Sequence, residues 1–277
     1  MIRPYFPWPA ALIKNREKTI VVSDLHLGFE AELVRMGINL PSQTYKIEAN
    51  LTKLIEETRP DRLIILGDLK HGIPVVSLLE RLDLPRFIEK ISEKVPVELI
   101  LGNHDGGISR LAKKDLTIRS SRGLLMEGND KIGLFHGHTW PAQKLFEARY
   151  WIVGHIHPAI QFRGLFGFKT IKPIWLKVRL DSEKIVKGFL KNRNIEVEHG
   201  DAAETLYKKF GVKVGCTNMI IMPAFNEMLG GLALNAITHD ELLGPILRNA
   251  AAELETSEVI LTDGTFLGEL KDLKRFS

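Results

Sequence analysis

Five short segments of this chain set carboxylates, imidazoles and one amide at close spacing: Asp24-Leu25-His26, Gly67-Asp68-Leu69-Lys70-His71, Gly102-Asn103-His104-Asp105, His136-Gly137-His138 and Gly154-His155-Ile156-His157. Oxygen and imidazole donors without thiolate suit Mn, Fe, Zn, Co or Ni at roughly octahedral sites. A lone Asp-x-His or His-x-His is common and says little. A lone Gly-Asn-His-Asp also fits a capped turn, since Asn and Asp favour turn geometry. Five such segments in one order are hard to ascribe to accident. Two ions at one site need a shared ligand, and an aspartate with its two oxygens is a natural bridge. In two-metal sites the ions lie ~3.5–4 Å apart and clamp the attacking and leaving oxygens of an in-line displacement. The chemistry indicated is metal-assisted hydrolysis of a phosphate ester.

These residues need elements that bring them to one place. Each segment follows an apolar run of strand length: Thr19–Ser23, Arg62–Leu66, Val97–Leu101, Lys131–Phe135 and Tyr150–Val153. Helical patterns are expected between them at Thr44–Glu57, Pro85–Lys94, Ile108–Lys114 and Pro141–Ala148. Alternating strands and helices stack as β-α-β units, and ligands bind in the crevice outside the carboxyl ends of such strands. Later strands are expected at Pro173–Leu180, Met219–Met222 and Glu258–Leu261, with a turn at Asp263-Gly264. The expected fold is α/β, a four-layer β-sandwich flanked by helices with the later strands mostly in the second sheet. One domain over 1–277 is expected, with the charged stretch 182–216 as a surface excursion.

Composition narrows the setting. The chain has 277 residues, 44% hydrophobic and 26% charged, as ordinary globular proteins do. A single cysteine, Cys216, excludes an intrachain disulfide and a cysteine-rich zinc module, and a cytoplasmic location is expected. Residues 217–237 are apolar enough to suggest a membrane span, but Pro223, Asn226, Glu227 and Gly230-Gly231 interrupt them. Two buried strands joined by a turn are expected there instead, and no membrane association. The net charge of +4, from 38 basic and 34 acidic residues, permits a polyanionic partner without requiring one.

The ordered motifs D-x-H, G-D, G-N-H-D, H and G-H-x-H resemble those of the calcineurin-like metallophosphoesterase superfamily, over residues 19–158. That resemblance implies the calcineurin-like fold and two divalent metal ions, with Mn first and Fe, Zn, Co, Ni or Mg as alternatives. It implies Asp24, His26 and His157 as ligands of one metal, Asn103, His136 and His155 as ligands of the other, and Asp68 as the bridge. His104 resembles the non-ligand histidine that stabilises the transition state or protonates the leaving oxygen, with Asp105 as its orienting partner. The segments VVSDLHLGFE, ILGDLKHG, LILGNHD, LFHGHTWP, WIVGHIHP, MPAFNEMLGG and LTDGTFLG extend the likeness to archaeal SbcD-related, ICC-like phosphoesterases. Those are similar to bacterial ligase-associated DNA-damage nucleases. This closer resemblance implies a phosphodiesterase or nuclease that cuts single-stranded or damaged DNA by a metal-activated hydroxide, beside a helicase or repair partner.

On the substrate side, His71, His138 and Lys70 stand near the ligands, and Arg110, Lys113, Lys114, Arg119 and Arg122 flank the motif loops as candidate phosphate contacts. Trp140 and Phe29 adjoin the same loops and are candidates for stacking bases. The competing enzyme reading is a phosphomonoesterase, cyclic-nucleotide phosphodiesterase or nucleotide pyrophosphatase acting on a small substrate. A non-catalytic scaffold would have lost ligands, whereas every one is present.

Overall fold

The apolar runs of the first third pair as a mostly parallel sheet. The computed structural model describes all residues except 75, 113–115, 165–166, 198–199, 239–240, 250 and 277, and the side chains of 251–252. Six strands follow chain order: β1 (Ile2–Pro4), β2 (Ala10–Lys14), β3 (Lys18–Val22), β4 (Arg62–Leu66), β5 (Val97–Ile100) and β6 (Leu116–Arg119). From β3 to β6 every neighbour is parallel, so β3, β4 and β5 end on the same edge. The short helix α1 (Glu30–Arg35) and helix α2 (Thr44–Thr58) connect β3 to β4, and α3 (Leu78–Ser92) connects β4 to β5. Helix α2 buries Ile47, Leu51, Leu54 and Ile55 on one face, as helical spacing dictates. Helix α3 begins with a capping box in which Ser77 and Glu80 satisfy each other's backbone donors.

The second sheet has nine strands: β7 (Leu124–Met126), β8 (Ile132–Leu134), β9 (Tyr150–Val153), β10 (Pro158–Arg163), β11 (Lys169–Arg179), β12 (Asn218–Ile221), β13 (Leu232–Ala233), β14 (Glu258–Leu261) and β15 (Phe266–Glu269). Within it β8, β9 and β12 are parallel. Side chains from both sheets, among them Ile13, Val21, Ile64, Leu134, Ile152 and Trp175, form the core between them. A second apolar layer packs α2 and α3 on the outer face of the first sheet. A third covers the outer face of the second sheet with α4 (Ser182–Asn192) and α5 (Ala202–Phe210). The layers run helix, sheet, sheet, helix: the expected α/β sandwich.

Several expectations need correction. Residues 182–216 are not a surface excursion: Ile185, Val186, Phe189, Leu190, Ala202 and Leu206 are fully buried, and each large apolar side chain so placed contributes roughly 1.5–3 kcal/mol. Charges on the two helices, among them Lys184, Lys187, Lys191, Glu204, Lys208 and Lys209, occupy their solvent faces. The stretches read as helices at 108–114 and 141–148 are single 3₁₀ turns at Ile108–Arg110 and Gln143–Glu147, with Lys113 and Lys114 outside the described residues. Strand β12 is followed by a long loop and only a two-residue β13, so residues 217–237 hold one full strand rather than two. Among the described residues no helix is long and apolar enough to cross a membrane.

Candidate active site

The loops after β3, β4, β5, β8 and β9 converge at one end of the sandwich. Five ligand candidates there adopt left-handed backbone: Asp24 (φ 57°), His26 (43°), Asp68 (51°), His155 (75°) and His157 (44°). Such conformations cost of order 1–3 kcal/mol each and cluster at functional sites. They turn the chain sharply after each strand, so that Asp24 and His26 face one donor set while His155 and His157 serve different ones. Close packing also dictates two glycines. A Cβ at Gly67 would overlap the His136 ring, and one at Gly102 would overlap the Asp68 carboxylate.

Three sets of donor atoms result; one is His26, His71 and His104, and the other two contain the aspartates. Those of Asp24, His26 and His157 lie within 4.8 Å of one another, as do those of Asp68, His136 and His155. Asp68 Oδ2 is 3.4 Å from His26 Nε2 and 3.2 Å from His136 Nε2, so one carboxylate faces both of the aspartate-containing sets. Asp24 Oδ1 is 3.2 Å from His157 Nε2 and 3.9 Å from His136 Nε2. Asn103 is exposed on the loop beside His104. The ring atoms His26 Nε2, His136 Nε2 and His157 Nε2 are buried without a hydrogen-bond partner. Buried polar atoms are almost always satisfied, so three bare nitrogens aimed at two aspartates fit cation coordination.

The other ring nitrogens show how these tautomers are set. His136 Nδ1 donates to the Leu66 carbonyl at 2.8 Å, leaving Nε2 bare. His71 Nε2 meets Glu32 Oε2 at 2.5 Å, and His71 Nδ1 lies 3.0 Å from His26 Nδ1. A proton held by Glu32 on His71 Nε2 makes His71 Nδ1 an acceptor. His26 then donates from Nδ1 and keeps Nε2 free, as partners of metal-bound histidines commonly arrange. His71, expected on the substrate side, therefore also serves as a support for His26.

Burial and charge act in opposite directions on the ionisable groups. Burial alone would raise Asp24 and Asp68, but histidines outweigh it: His157 and His136 hold Asp24 far below the carboxylate range, and His136 brings Asp68 to about 2. Burial dominates at three rings, lowering His26 to about 3 against the pull of both aspartates, and His155 and His138 to about 4 with help from His136. Burial also disfavours charge on His136, yet Asp68 and Asp24 win and raise it to about 9.

Two expected roles change. Asp105 does not orient the His104 ring. Its buried carboxylate accepts from the backbone N–H groups of Asp68 (2.8 Å), Leu69 (2.9 Å), Lys70 (3.3 Å) and Gly102 (2.8 Å), tying the β4 and β5 loops together. The His104 ring is held instead by Nδ1 on the His71 carbonyl at 2.5 Å. Lys70 is not available to substrate: its side chain is 0% exposed and its Nζ donates to the Gly72 carbonyl. Burial lowers its pKa, with Glu80 countering.

Among the other substrate-side candidates, His138 is half-buried with Nδ1 unpartnered, its ring 6.0 Å from that of His155. Arg119 is engaged by Glu98 at 2.8 Å, while Arg110 and Arg122 are exposed. Trp140 packs on Phe189 in the core, and Phe29 lies edge-on to His71. Sequence reasoning missed Ser23, whose hydroxyl reaches Asp24 Oδ2 at 2.6 Å, and Asn226, whose amide holds the Leu25 carbonyl at 2.9 Å. Ser23 abuts a ligand and Asn226 stands in a recognised segment, so both left a weak signal.

Clefts open on two flanks. One of about 130 Å³ is lined by Glu32, Arg35, His71 and His104, and one of about 380 Å³ by His157, Ile171, Pro173, Met228 and Leu229. A larger cavity of about 630 Å³ sits at the opposite strand ends, around Lys14, Tyr150 and Asn218, away from every ligand candidate.

The calcineurin-like phosphoesterase family matches residues 17–181, well over half of the chain. The chain belongs to that family, one of phosphoesterases that use divalent metal ions. An Arabidopsis thaliana protein described as "Probable inactive purple acid phosphatase 14" is 30% identical over 95 residues, 33% of this chain and 24% of its own length, so the chain spans about a quarter of that relative. The structure of the Pseudomonas putida nuclease MPE superposes with a TM-score of 0.51 at 19% identity, covering 96% of this chain and 100% of that one. The phosphoesterase Yfce from E. coli matches at 22% identity and TM-score 0.34, over 53% of this chain and 74% of its own.

Proposed function

We propose that this chain is a phosphodiesterase that cuts DNA, single-stranded or damaged, with two divalent cations, Mn foremost. The observation that carries the reading is the Asp68 carboxylate, which faces both ligand sets at once. Asp24, His26 and His157 would hold one ion, Asn103, His136 and His155 the other, and Asp68 both. Cations bound there would activate water near neutral pH and neutralise charge on the phosphoryl oxygens. The protein's own part is positioning and proton supply. His104, tied through Nδ1, presents Nε2 as the donor to the leaving oxygen, and an imidazole serves that role near neutral pH. Asp105 and Asn226 fix the loops so that this geometry is set in advance.

Clefts on two flanks support a diester, which has an ester arm on each side, over a monoester, which has one. The fold is shared along nearly its whole length with a protein described as a nuclease, which supports a nucleic-acid substrate. The test is product analysis with Mn on labelled single- and double-stranded oligonucleotides beside an aryl monoester and a cyclic nucleotide. Oligonucleotide cleavage that weakens steeply with salt is expected. Preference for the monoester or the cyclic nucleotide, or turnover indifferent to salt, would contradict it.

A further inference from the structure

We propose that the 380 Å³ cleft beside His157 is the subsite for the nucleoside arm that stays on the phosphate, and that the departing arm lies on the His104 flank. This rests on the phosphodiesterase reading above.

The two flanks differ in size and chemistry. The small cleft mixes Glu32, Arg35 and His71 with Ala31 and Ile73 and contains His104, so the oxygen that receives the His104 proton leaves on that side. At about 130 Å³ it falls below the ~300–1,000 Å³ usual for small-molecule sites, whereas the other cleft falls within it. Pro9, Pro173, Ile171, Met228 and Leu229 line the larger one with apolar surface, and Lys172 and Thr262 add polar groups. A flat body with apolar faces and a polar edge suits such walls, and a nucleoside has that form.

The cleft is also fixed relative to the reacting phosphate. Its wall, the loop after β12, is tied to the ligand loops by Phe225 N–H on the Ser23 carbonyl (2.8 Å), Asn226 on the Leu25 carbonyl (2.9 Å) and Leu232 N–H on the His157 carbonyl (2.8 Å). In the step itself, a water oxygen bonds to phosphorus and the bond to the arm on the His104 side breaks. That arm takes the His104 proton, the water's proton restores His104, and the other arm is released from the cleft as its monoester.

Adjacent glycines provide the test. A Cβ at Gly231 would overlap Ala159, but one at Gly230, which also lines the cleft, would meet open space. Gly230→Leu therefore fills the cleft from a tolerant backbone position. Thymidine 5′-(4-nitrophenyl phosphate) and methyl 4-nitrophenyl phosphate share a leaving group and differ only in the retained arm. With Mn, the wild type should favour the thymidine ester by about tenfold or more in kcat/KM, and Gly230→Leu should bring that ratio close to one. A ratio near one in the wild type, or an undiminished ratio in Gly230→Leu, would overturn the assignment. If neither ester turns over, the phosphodiesterase reading itself fails, and calorimetry with thymidine 5′-monophosphate decides the cleft. Binding weakened about tenfold in Gly230→Leu upholds it, and no binding or equal binding overturns it.

Discussion

The Asn226 side-chain amide donates to the Leu25 carbonyl at 2.9 Å, joining a loop after the twelfth strand to the turn between Asp24 and His26. Asn226 Oδ1 in turn accepts from Met228 N–H at 3.0 Å, so both ends of the amide are used in a buried position. Asn226→Ala should destabilise the fold by about 1–3 kcal/mol, because the Leu25 carbonyl stays buried without a partner. It should also weaken Mn binding by about 10–100-fold, the usual cost of losing an outer support of a metal site. Urea unfolding and a Mn titration check the two effects.

The Glu32–His71–His26 chain sets a tautomer. His71→Ala removes the acceptor for His26 Nδ1–H and should weaken metal affinity by about 10–100-fold. Glu32→Gln keeps an oxygen that accepts the His71 Nε2 proton, so it should retain most of the affinity. Affinities measured by Mn electron paramagnetic resonance separate the two. Equal losses in both variants would show that charge, not tautomer, is what Glu32 supplies.

Asp105 and His104 are neighbours with opposite predicted phenotypes. Asp105→Ala abandons four backbone donors and should cost at least about 3 kcal/mol in chemical denaturation, at about 1–3 kcal/mol per buried unpaired group. Asp105→Asn should recover part of that. His104→Ala should keep the fold and the metal, yet lower kcat by about 10²–10⁴-fold.

The pH dependence of chelator-treated protein follows from the shifted histidines. His136 is raised to about 9, so its contribution to stability is full below its unfolded value of 6.5 and is lost as pH rises through about 9. His26, His155 and His138 are lowered to about 3, 4 and 4, so their contribution is full above 6.5 and is lost as pH falls toward those values. This cluster should place the stability maximum near pH 6.5 in thermal unfolding. A steady rise in stability from pH 6.5 to 9 would contradict the His136 environment described above.

The ligand candidates were legible in the sequence because metal chemistry constrains residue type, order and position at strand ends together. Asp24, His26, Asp68, His136, His155 and His157 all converge. What orients them was less visible: a backbone-directed carboxylate such as Asp105 looks the same in sequence as one directed at a side chain. Lys70 reads as a surface cation beside a motif, and only the three-dimensional packing shows its burial. The charge in 182–216 concealed two amphipathic helices, since Lys and Glu on the outer face dominate the composition while Ile185, Val186, Phe189 and Leu190 face the core. Strands β1 and β2 were missed around prolines, where local preference opposes a strand and antiparallel pairing of β1 with β2 and of β2 with β3 overrides it.

In the proposed mechanism Asp68 joins two cation sites into one catalytic centre. Calorimetric titration of Mn into chelator-treated protein, with oligonucleotide cleavage followed on the same samples, tests it most directly. The expected result is two ions per chain, cleavage that appears only with the second equivalent, and loss of both features in Asp68→Ala. Full cleavage at one equivalent, or two-ion binding that survives Asp68→Ala, would contradict it.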